Sequence, residues 1–308
     1  MAGVCARPLS RASATLVNTN GAAATGFVLA ANNADTPAFS TLFTYNKTTC
    51  VLSNPIQTVF DPPTVLPGGH TNTNGIEQPV WEPITGAFYV TLPEIDAVAP
   101  LAGGAGITGA VAKVDTTGAI VAIYPINYCQ PAGLTVGPNG DLLVGCNSVF
   151  DDSGKKCSSV VPSPIPVVTP PATTAAAHPA LCGTRAVPQS AICNPGRGCT
   201  PANGSLVSVP GAGGGDEVYF NAADKNYYVT AGNNPLGPTL AVISSTTDTL
   251  IQNVPTLPPD PAAPGVHGAG TVHSVAAGGG NGRVYVPLPS NTAYPNCTQG
   301  CVAVFSAQ

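Results

Sequence analysis

Charged residues are scarce in this 308-residue chain, at 8% of the sequence. The ten Lys and Arg residues form no cluster, and the formal net charge is −5. A basic surface that could neutralise nucleic-acid phosphates is therefore missing, which disfavours a nucleic-acid partner. No apolar run reaches the roughly 18 residues that a membrane-spanning helix needs. These absences predict a protein without a membrane span that does not bind nucleic acid.

A sustained 3.6-residue apolar period is also missing, although hydrophobic residues make up 44% of the chain and suffice for a core. The 35 Gly and 33 Pro residues recur throughout and interrupt any long helix. Between them lie short runs of Val, Ile, Leu, Thr and Tyr, which are typical of strands. The sequence therefore predicts an all-β chain.

The ten cysteines include no C-x-x-C pair, which disfavours a zinc site and favours disulfides. Sequence alone does not fix the connectivity, but the spacings suggest five pairs: Cys5–Cys50, Cys129–Cys146, Cys157–Cys182, Cys193–Cys199 and Cys297–Cys301. The first residues, "MAGVCARPLSRASATLV", lack the apolar core of a signal peptide. We nevertheless expect an exported, monomeric glycoprotein whose leader has been removed, because disulfides form in oxidising compartments and N-x-[ST] triplets begin at Asn46, Asn203 and Asn296.

Four segments share one pattern, in which a strand, a tight Gly- or Asn-rich turn and a second strand follow one another. They span residues 77–95, 131–147, 215–233 and 272–290, and a weaker copy, "ATGFVLAANN", is centred near Val28. Further apolar strands follow each hairpin. Four-stranded units at intervals of roughly 50 to 60 residues are typical of a β-propeller. The sequence predicts a single propeller of five or six blades across residues 1–308.

The spacing of the repeats is interrupted by a Cys- and Pro-rich segment, residues 148–202. It contains "VVPSPIPVVTPPATTAAAHPA", whose proline density favours extended or looped backbone. We predict a disulfide-pinned insertion here. Its length is close to that of one blade, so that it could also conceal a sixth.

Polar residues stand just before the predicted innermost strands. Alignment of the repeats on an apolar anchor gives equivalent pairs: Gln78-Pro79, Ala132-Gly133, Asp216-Glu217 and His273-Ser274. Because innermost strands surround the channel of a propeller, six side chains are expected to meet at one mouth: Glu77, Gln78, Gln130, Asp216, Glu217 and His273. Side chains alternate along a strand, so at most one of Asp216 and Glu217 should face the channel centre.

This set suits either general acid–base chemistry or a metal, and the alternative is that it only satisfies backbone groups at the channel end. Asn147 and Asn233 could join Glu77 as oxygen ligands of a divalent ion, but strand-capping is the favoured interpretation. We predict His273, Glu217 and Asp216 as catalytic residues, with no metal and no cofactor. The predicted substrate contacts are Glu77, Gln78, Gln130, Trp81 and Asn233, although Trp81 also suits a blade core.

Motifs for covalent or phosphate chemistry are absent. The chain has no G-x-S-x-G elbow and no H-E-x-x-H, and the run "GAGGGD" (211–216) lacks the Lys-Ser/Thr of a phosphate-binding loop. Nucleophilic catalysis by Ser or Cys is therefore unsupported.

Three segments, "DEVYFNAADKNYYVTAGN", "TVHSVAAGGGNGRVYVPLP" and "GCVAVFSA", resemble repeats of propellers in the senescence-marker/gluconolactonase superfamily. Lactonases of that family use Glu, Asn and Asp around one divalent metal. Their Asn-Gly-Leu and Ser-Pro-Asp-Gly motif is missing, and "GLTVGPNGDL" (133–142) is the nearest stretch. This departure weighs against metal-dependent lactone hydrolysis.

The Cys-rich, charge-poor composition with recurring "VYV" and "DEVYF" hairpins is also similar to fungal propellers of the eupenifeldin-type hetero-Diels-Alderases. That resemblance implies the joining of an ortho-quinone methide of tropolone or polyketide type to an olefinic terpene such as a humulene. It implies acid–base and hydrogen-bonding roles for His273 and for one of Asp216 or Glu217. A metal-dependent lactonase and a non-catalytic binding propeller remain as alternatives.

Overall fold

A computed structural model describes most of the chain outside the predicted insertion. The described ranges are 14–17, 25–33, 36–96, 108–127, 129–138, 140–150, 188–189, 207–209, 211–212, 214–232, 238–257, 272–278 and 280–306. Strands dominate these ranges, and their single helical element is a three-residue 3-10 turn, Pro67–Gly69. The predicted all-β class is confirmed. No helix in the described ranges has the length and apolar character needed to cross a membrane.

The strands of the described residues form five antiparallel blades in chain order. Blade 1 contains β1 (Ala14–Val17), β2 (Thr25–Asn32), β3 (Phe39–Asn46) and β4 (Val51–Val59). Blade 2 contains β5 (Pro79–Glu82), β6 (Ala87–Leu92), β7 (Thr108–Val114) and β8 (Ile120–Asn127). Blade 3 contains β9 (Cys129–Val136), β10 (Leu142–Val149), β11 (Pro188–Gln189) and β12 (Val207–Ser208). Blade 4 contains β13 (Val218–Asn221), β14 (Asn226–Ala231), β15 (Thr239–Ser244) and β16 (Leu250–Pro255), and blade 5 contains β17 (Ala276–Gly278), β18 (Arg283–Leu288) and β19 (Cys301–Ser306).

The first strand of each blade is its inner strand, and inner strands of successive blades touch. β1 contacts β5, β5 contacts β9, β9 contacts β13, and β13 contacts β17. Blades 2 and 3 are also joined by a parallel bridge between Thr108 and Cys129. Antiparallel sheets that succeed one another around their inner strands define a β-propeller. The predicted single propeller is confirmed, with five blades in the part of the chain that the structure describes.

Apolar side chains fill the spaces between blades, and successive residues of one strand serve different neighbours. On β6, Phe88 packs toward blade 1, whereas Tyr89 packs toward blade 3. On β14, Tyr227 packs toward blade 3 and Tyr228 toward blade 5. All four rings are buried. The two-residue period of a strand therefore accounts for the paired aromatics by packing alone.

Two predicted disulfides are present, Cys129–Cys146 and Cys297–Cys301. Cys50 is also disulfide-bonded, and its predicted partner Cys5 lies outside the described residues. The predicted pairs Cys157–Cys182 and Cys193–Cys199 lie outside them as well. Within the predicted insertion, residues 188–189 form β11 of blade 3. Most of the insertion is not described, so its boundaries and pinning stay a prediction.

Candidate active site

Corresponding hydrogen bonds show which residues occupy equivalent positions where the chain enters blades 2 and 4. The Glu77 N–H donates to the Thr91 carbonyl oxygen at 2.9 Å, and the Asp216 N–H donates to that of Thr230 at 2.9 Å. Glu77 and Asp216 are thus equivalent residues, each placed just before an inner strand. We call this end of the inner strands the entry end.

The next residues bridge to the following blade in the same way. The Gln78 N–H donates to the Ala132 carbonyl oxygen at 3.3 Å, and the Glu217 N–H donates to that of His273 at 3.2 Å. Gln78 is therefore the equivalent of Glu217, and Ala132 that of His273. The bonds show that Glu77 and Gln78, rather than Gln78 and Pro79, are the equivalents of Asp216 and Glu217.

The sequence alignment of blade 2 was therefore wrong by one residue. Pro79 pairs with Val90 as Val218 pairs with Val229, so that Pro79 and not Val80 is the counterpart of Val218. A proline can occupy the first position of a strand, where no ladder hydrogen bond from its nitrogen is needed. An alignment based on apolar strand residues passes over it.

Blade 3 completes the series of equivalent positions. Gly145 of blade 3 is the counterpart of Thr91 of blade 2. A Cβ built on Gly145 would lie 2.7 Å from the Asp216 carbonyl oxygen, and the Thr91 hydroxyl oxygen lies 2.7 Å from the carbonyl oxygen of Ala132. The same main-chain position in blades 2 to 5 is thus occupied by four residues: Glu77, Ala132, Asp216 and His273. Three of these four carry ionisable side chains.

An ion pair joins two of these residues across the boundary of blades 4 and 5. His273 Nε2 lies 3.0 Å from Asp216 Oδ2, and the His273 side chain is 65% exposed. The hydrogen bond to Asp216 is the largest cause that raises the pKa of His273. Burial lowers this pKa, whereas the charges of Asp216, Glu217 and Glu77 raise it further. Together they raise the pKa of His273 to about 9. The imidazole is therefore a cation at neutral pH.

Glu77 is the third ionisable group at the entry end. Burial raises its pKa, and the hydrogen bond from Asn33 Nδ2 to Glu77 Oε1, 2.9 Å long, opposes that rise. Asp216 and Glu217 raise the pKa further, while His273 lowers it. The net shift is upward, so that this carboxyl holds its proton more readily than an exposed glutamic acid does. The sequence analysis missed Asn33, although it ends the weak repeat "ATGFVLAANN" from which β2 forms.

The side chains of Gln78 and Glu217 form hydrogen bonds with the next blade, at or just before its inner strand. Gln78 Oε1 accepts the N–H of Leu134 at 2.9 Å. The Glu217 carboxyl accepts hydrogen bonds from the Ser274 hydroxyl and from the N–H of Val275. Burial raises the pKa of Glu217, these two bonds and His273 oppose the rise, and Asp216 adds to it. Each side chain thus joins its own blade to the next one by hydrogen bonds.

The two adjacent acids therefore have different partners. Asp216 pairs with the His273 imidazole, whereas Glu217 contacts Ser274 and the backbone beyond it. Both charges still act on the pKa of His273. The two residues precede β13, so the alternation of side chains within a strand does not apply to them. A catalytic role for Glu217 stays a prediction.

The structure describes two of the three other predicted substrate contacts, and the roles of all three stay predictions. Gln130 stands near the beginning of β9, opposite Ser148 of β10. Trp81 packs edge-to-face on Phe88, with ring centroids 4.9 Å apart, in the core between blades 1 and 2. Asn233 lies outside the described residues.

A metal centre of the lactonase kind does not fit the described residues. Among them, no three His, Cys, Asp or Glu side chains gather closely enough to hold a metal ion. Glu77 accepts the Asn33 amide, and Asn147 lies inside β10 rather than at its end.

Comparison with known proteins adds similarity of fold. No protein-family model matches the chain, and no curated protein matches it. A "putative 6-phosphogluconolactonase" from Bacteroides uniformis is 11% identical, with 96% of this chain and 67% of that chain covered and a TM-score of 0.49. TolB from Acinetobacter baumannii is 11% identical (91% and 50% covered, TM-score 0.44), and the Dos1 propeller is 9% identical (88% and 51% covered, TM-score 0.41). The chain spans about half the length of the last two, and similarity at this level assigns neither a family nor an activity.

Proposed function

We propose that the protein is an enzyme whose entry end performs acid–base chemistry on a small, uncharged molecule. The observation that carries this proposal is the 3.0 Å pair of His273 and Asp216 beside the half-buried carboxyl of Glu77. These groups offer three different properties: an imidazolium that can donate a hydrogen bond, a paired carboxyl group that can accept one, and a second carboxyl whose pKa is raised. Hydrogen-bond donors beside an acceptor carboxyl are suited to separate acid and base roles at one site.

The reaction that we propose is a hetero-Diels-Alder cyclisation, on the basis of the resemblance to the fungal hetero-Diels-Alderases. A hydroxymethyl-substituted tropolone or phenol would first lose water to give an ortho-quinone methide. Glu77 would protonate the departing hydroxyl, and Asp216 would accept the proton of the ring hydroxyl. Both carboxyls then return to their starting states by proton exchange with solvent.

His273 would act in the second step. Its imidazolium would donate a hydrogen bond to the quinone-methide oxygen and withdraw electron density from the diene. The terpene double bond then adds with one new C–C bond and one new C–O bond, and no atom is lost. Such a step needs orientation and polarisation but no nucleophile, in agreement with the lack of nucleophile motifs in the chain.

The test is incubation with a hydroxymethyl tropolone and humulene, with the cycloadduct quantified by mass spectrometry. The wild-type protein should accelerate adduct formation over buffer, and His273→Gln and Glu77→Gln should each reduce the rate about 100-fold, the lower range for a lost acid or base. His70→Gln is the matched control, because it removes a second His–Asp pair, His70–Asp96, whose Nδ1 and Oδ2 are 2.5 Å apart. It should leave the rate unchanged.

Two results would overturn the proposal. Adduct formation no faster than in buffer would refute the cyclisation, and a rate that survives both entry-end substitutions would refute the site. Hydrolysis of lactones that stops on chelation would instead establish the metal-dependent alternative. Tight ligand binding without turnover, indifferent to His273→Gln, would establish a binding propeller.

A further inference from the structure

The main chain at the entry end converges on one buried residue, Thr230 of β14. Its carbonyl oxygen accepts the Asp216 N–H at 2.9 Å, and its N–H donates to the Glu217 carbonyl oxygen at 3.2 Å. Its hydroxyl oxygen lies 2.8 Å from the His273 carbonyl oxygen and 3.1 Å from that of Glu217. We infer that Thr230 is a positioning residue whose hydroxyl holds His273 beside Asp216.

The two members of the ion pair belong to different blades, so the Thr230 hydroxyl, which bonds across the boundary, helps to set the distance between them. Thr230 and Asp216 belong to blade 4, whereas His273 precedes the inner strand of blade 5. The Glu217 N–H and the Thr230 hydroxyl both donate to one atom, the carbonyl oxygen of His273. The imidazole is mostly exposed and its nitrogens contact Asp216 and Ser274, so its distance from Asp216 also depends on how its own main chain is anchored.

Blade 2 has the same threonine hydroxyl bond to the next blade, but the residue bonded there is Ala132, which has no ionisable side chain. Thr91 is also fully buried, and its hydroxyl oxygen lies 2.7 Å from the carbonyl oxygen of Ala132 and 3.4 Å from that of Gln78. Ala132 is the equivalent of His273 but has no titratable side chain. Thr91 thus provides a control in which the same inter-blade bond is lost away from the ion pair.

The experiment is an NMR titration of the His273 ring in the full chain, with the signal assigned by its loss in His273→Gln. The charged groups that face this ring are Asp216, Glu217 and Glu77. The wild-type midpoint should lie at about 9, and Thr230→Val should lower it by about one unit or more toward the ordinary value of roughly 6.5. Thr91→Val should leave it unchanged, and Asp216→Asn should lower it.

A second comparison covers the case in which Thr230→Val does not fold. Thr230→Ala and Thr230→Ser both lack the methyl group and differ only in the hydroxyl, so that Ala should lower the His273 midpoint and Ser should restore it. A wild-type midpoint in folded Thr230→Val or Thr230→Ala would overturn the inference. An equal fall in Thr91→Val would also overturn it, because the effect would then be general loosening.

The catalytic meaning of Thr230 rests on the proposed function, but the titration does not. If no substrate is converted, a lowered midpoint in the Thr230 variants still establishes the positioning role. If turnover is found and falls in Thr230→Val while the His273 midpoint stays near 9, the inference fails and the proposed function stands.

Discussion

Replacing Asp216 by Asn should flatten the dependence of stability on pH between about 6.5 and 9. The His273 imidazole has a pKa of about 9 in the folded protein, against roughly 6.5 in an unfolded chain. The folded state therefore binds the proton more tightly. This contribution to stability is fully present below pH 6.5 and is lost as the pH rises through 9.

The size of the effect follows from the shift and from the exposure of the ring. Each pKa unit corresponds to about 1.4 kcal/mol, so the full shift would amount to about 3 kcal/mol in a sheltered site. The His273 side chain is 65% exposed, however, and solvent screens a pair of this kind to about 1 kcal/mol or less. Asp216→Asn should thus cost about 1 kcal/mol at pH 6 and almost nothing at pH 9.5.

The measurement is urea unfolding of the wild type and of Asp216→Asn at a series of pH values, with the two free energies compared at each. His273→Gln should flatten the profile in the same way. The double variant should add little to either single one, because both remove the same interaction. Parallel losses of stability in the wild type and Asp216→Asn between pH 6 and 9.5 would refute the reasoning.

Two further predictions concern how the blades are joined. A Cβ at position 137 would lie 1.7 Å from the hydroxyl oxygen of the buried Tyr227, so Gly137→Ala should lower the free energy of unfolding by about 1–3 kcal/mol in urea titrations, and a neutral effect would contradict this close approach. Glu217→Gln should change stability by less than about 0.5 kcal/mol at pH 7, because Gln78 makes the equivalent bond with an amide oxygen, whereas Glu217→Ala should cost about 1–3 kcal/mol by leaving the Val275 N–H without its partner. Equal losses in both Glu217 variants would show that its charge, rather than its acceptor oxygen, holds blade 5.

The sequence was sufficient for the features that depend on neighbours along the chain. Period-two alternation identified the hairpins, and the adjacent rings of Tyr227 and Tyr228 face different blades as such alternation requires. The disulfides Cys129–Cys146 and Cys297–Cys301 also follow from short separations along the chain. Each of these features involves residues within one hairpin or one loop.

The features that escaped prediction depend on partners in another blade. Asn33 reaches Glu77 from blade 1, and no local pattern marks that contact. Pro79 hid the register of blade 2, which becomes evident from its pairing with Val90 and from the Gln78 N–H bond to Ala132 of blade 3. The division of labour between Asp216 and Glu217 is likewise decided by what blade 5 presents to each.

The equivalence of Glu77, Ala132, Asp216 and His273 separates what holds the propeller together from what gives the entry end its chemistry. The main-chain bonds at this position recur between blades 2 and 3 and between blades 4 and 5, although the bonded residue in one case is Ala132 and in the other His273. Main-chain atoms make these bonds, so the side chain at the position is not needed for them. The side-chain hydrogen bonds to the next blade come instead from the following residue, which is Gln78 in blade 2 and Glu217 in blade 4. An acid and a base can therefore face one another across blades 4 and 5 at little cost to the fold, provided that Thr230 fixes the main chain that carries His273.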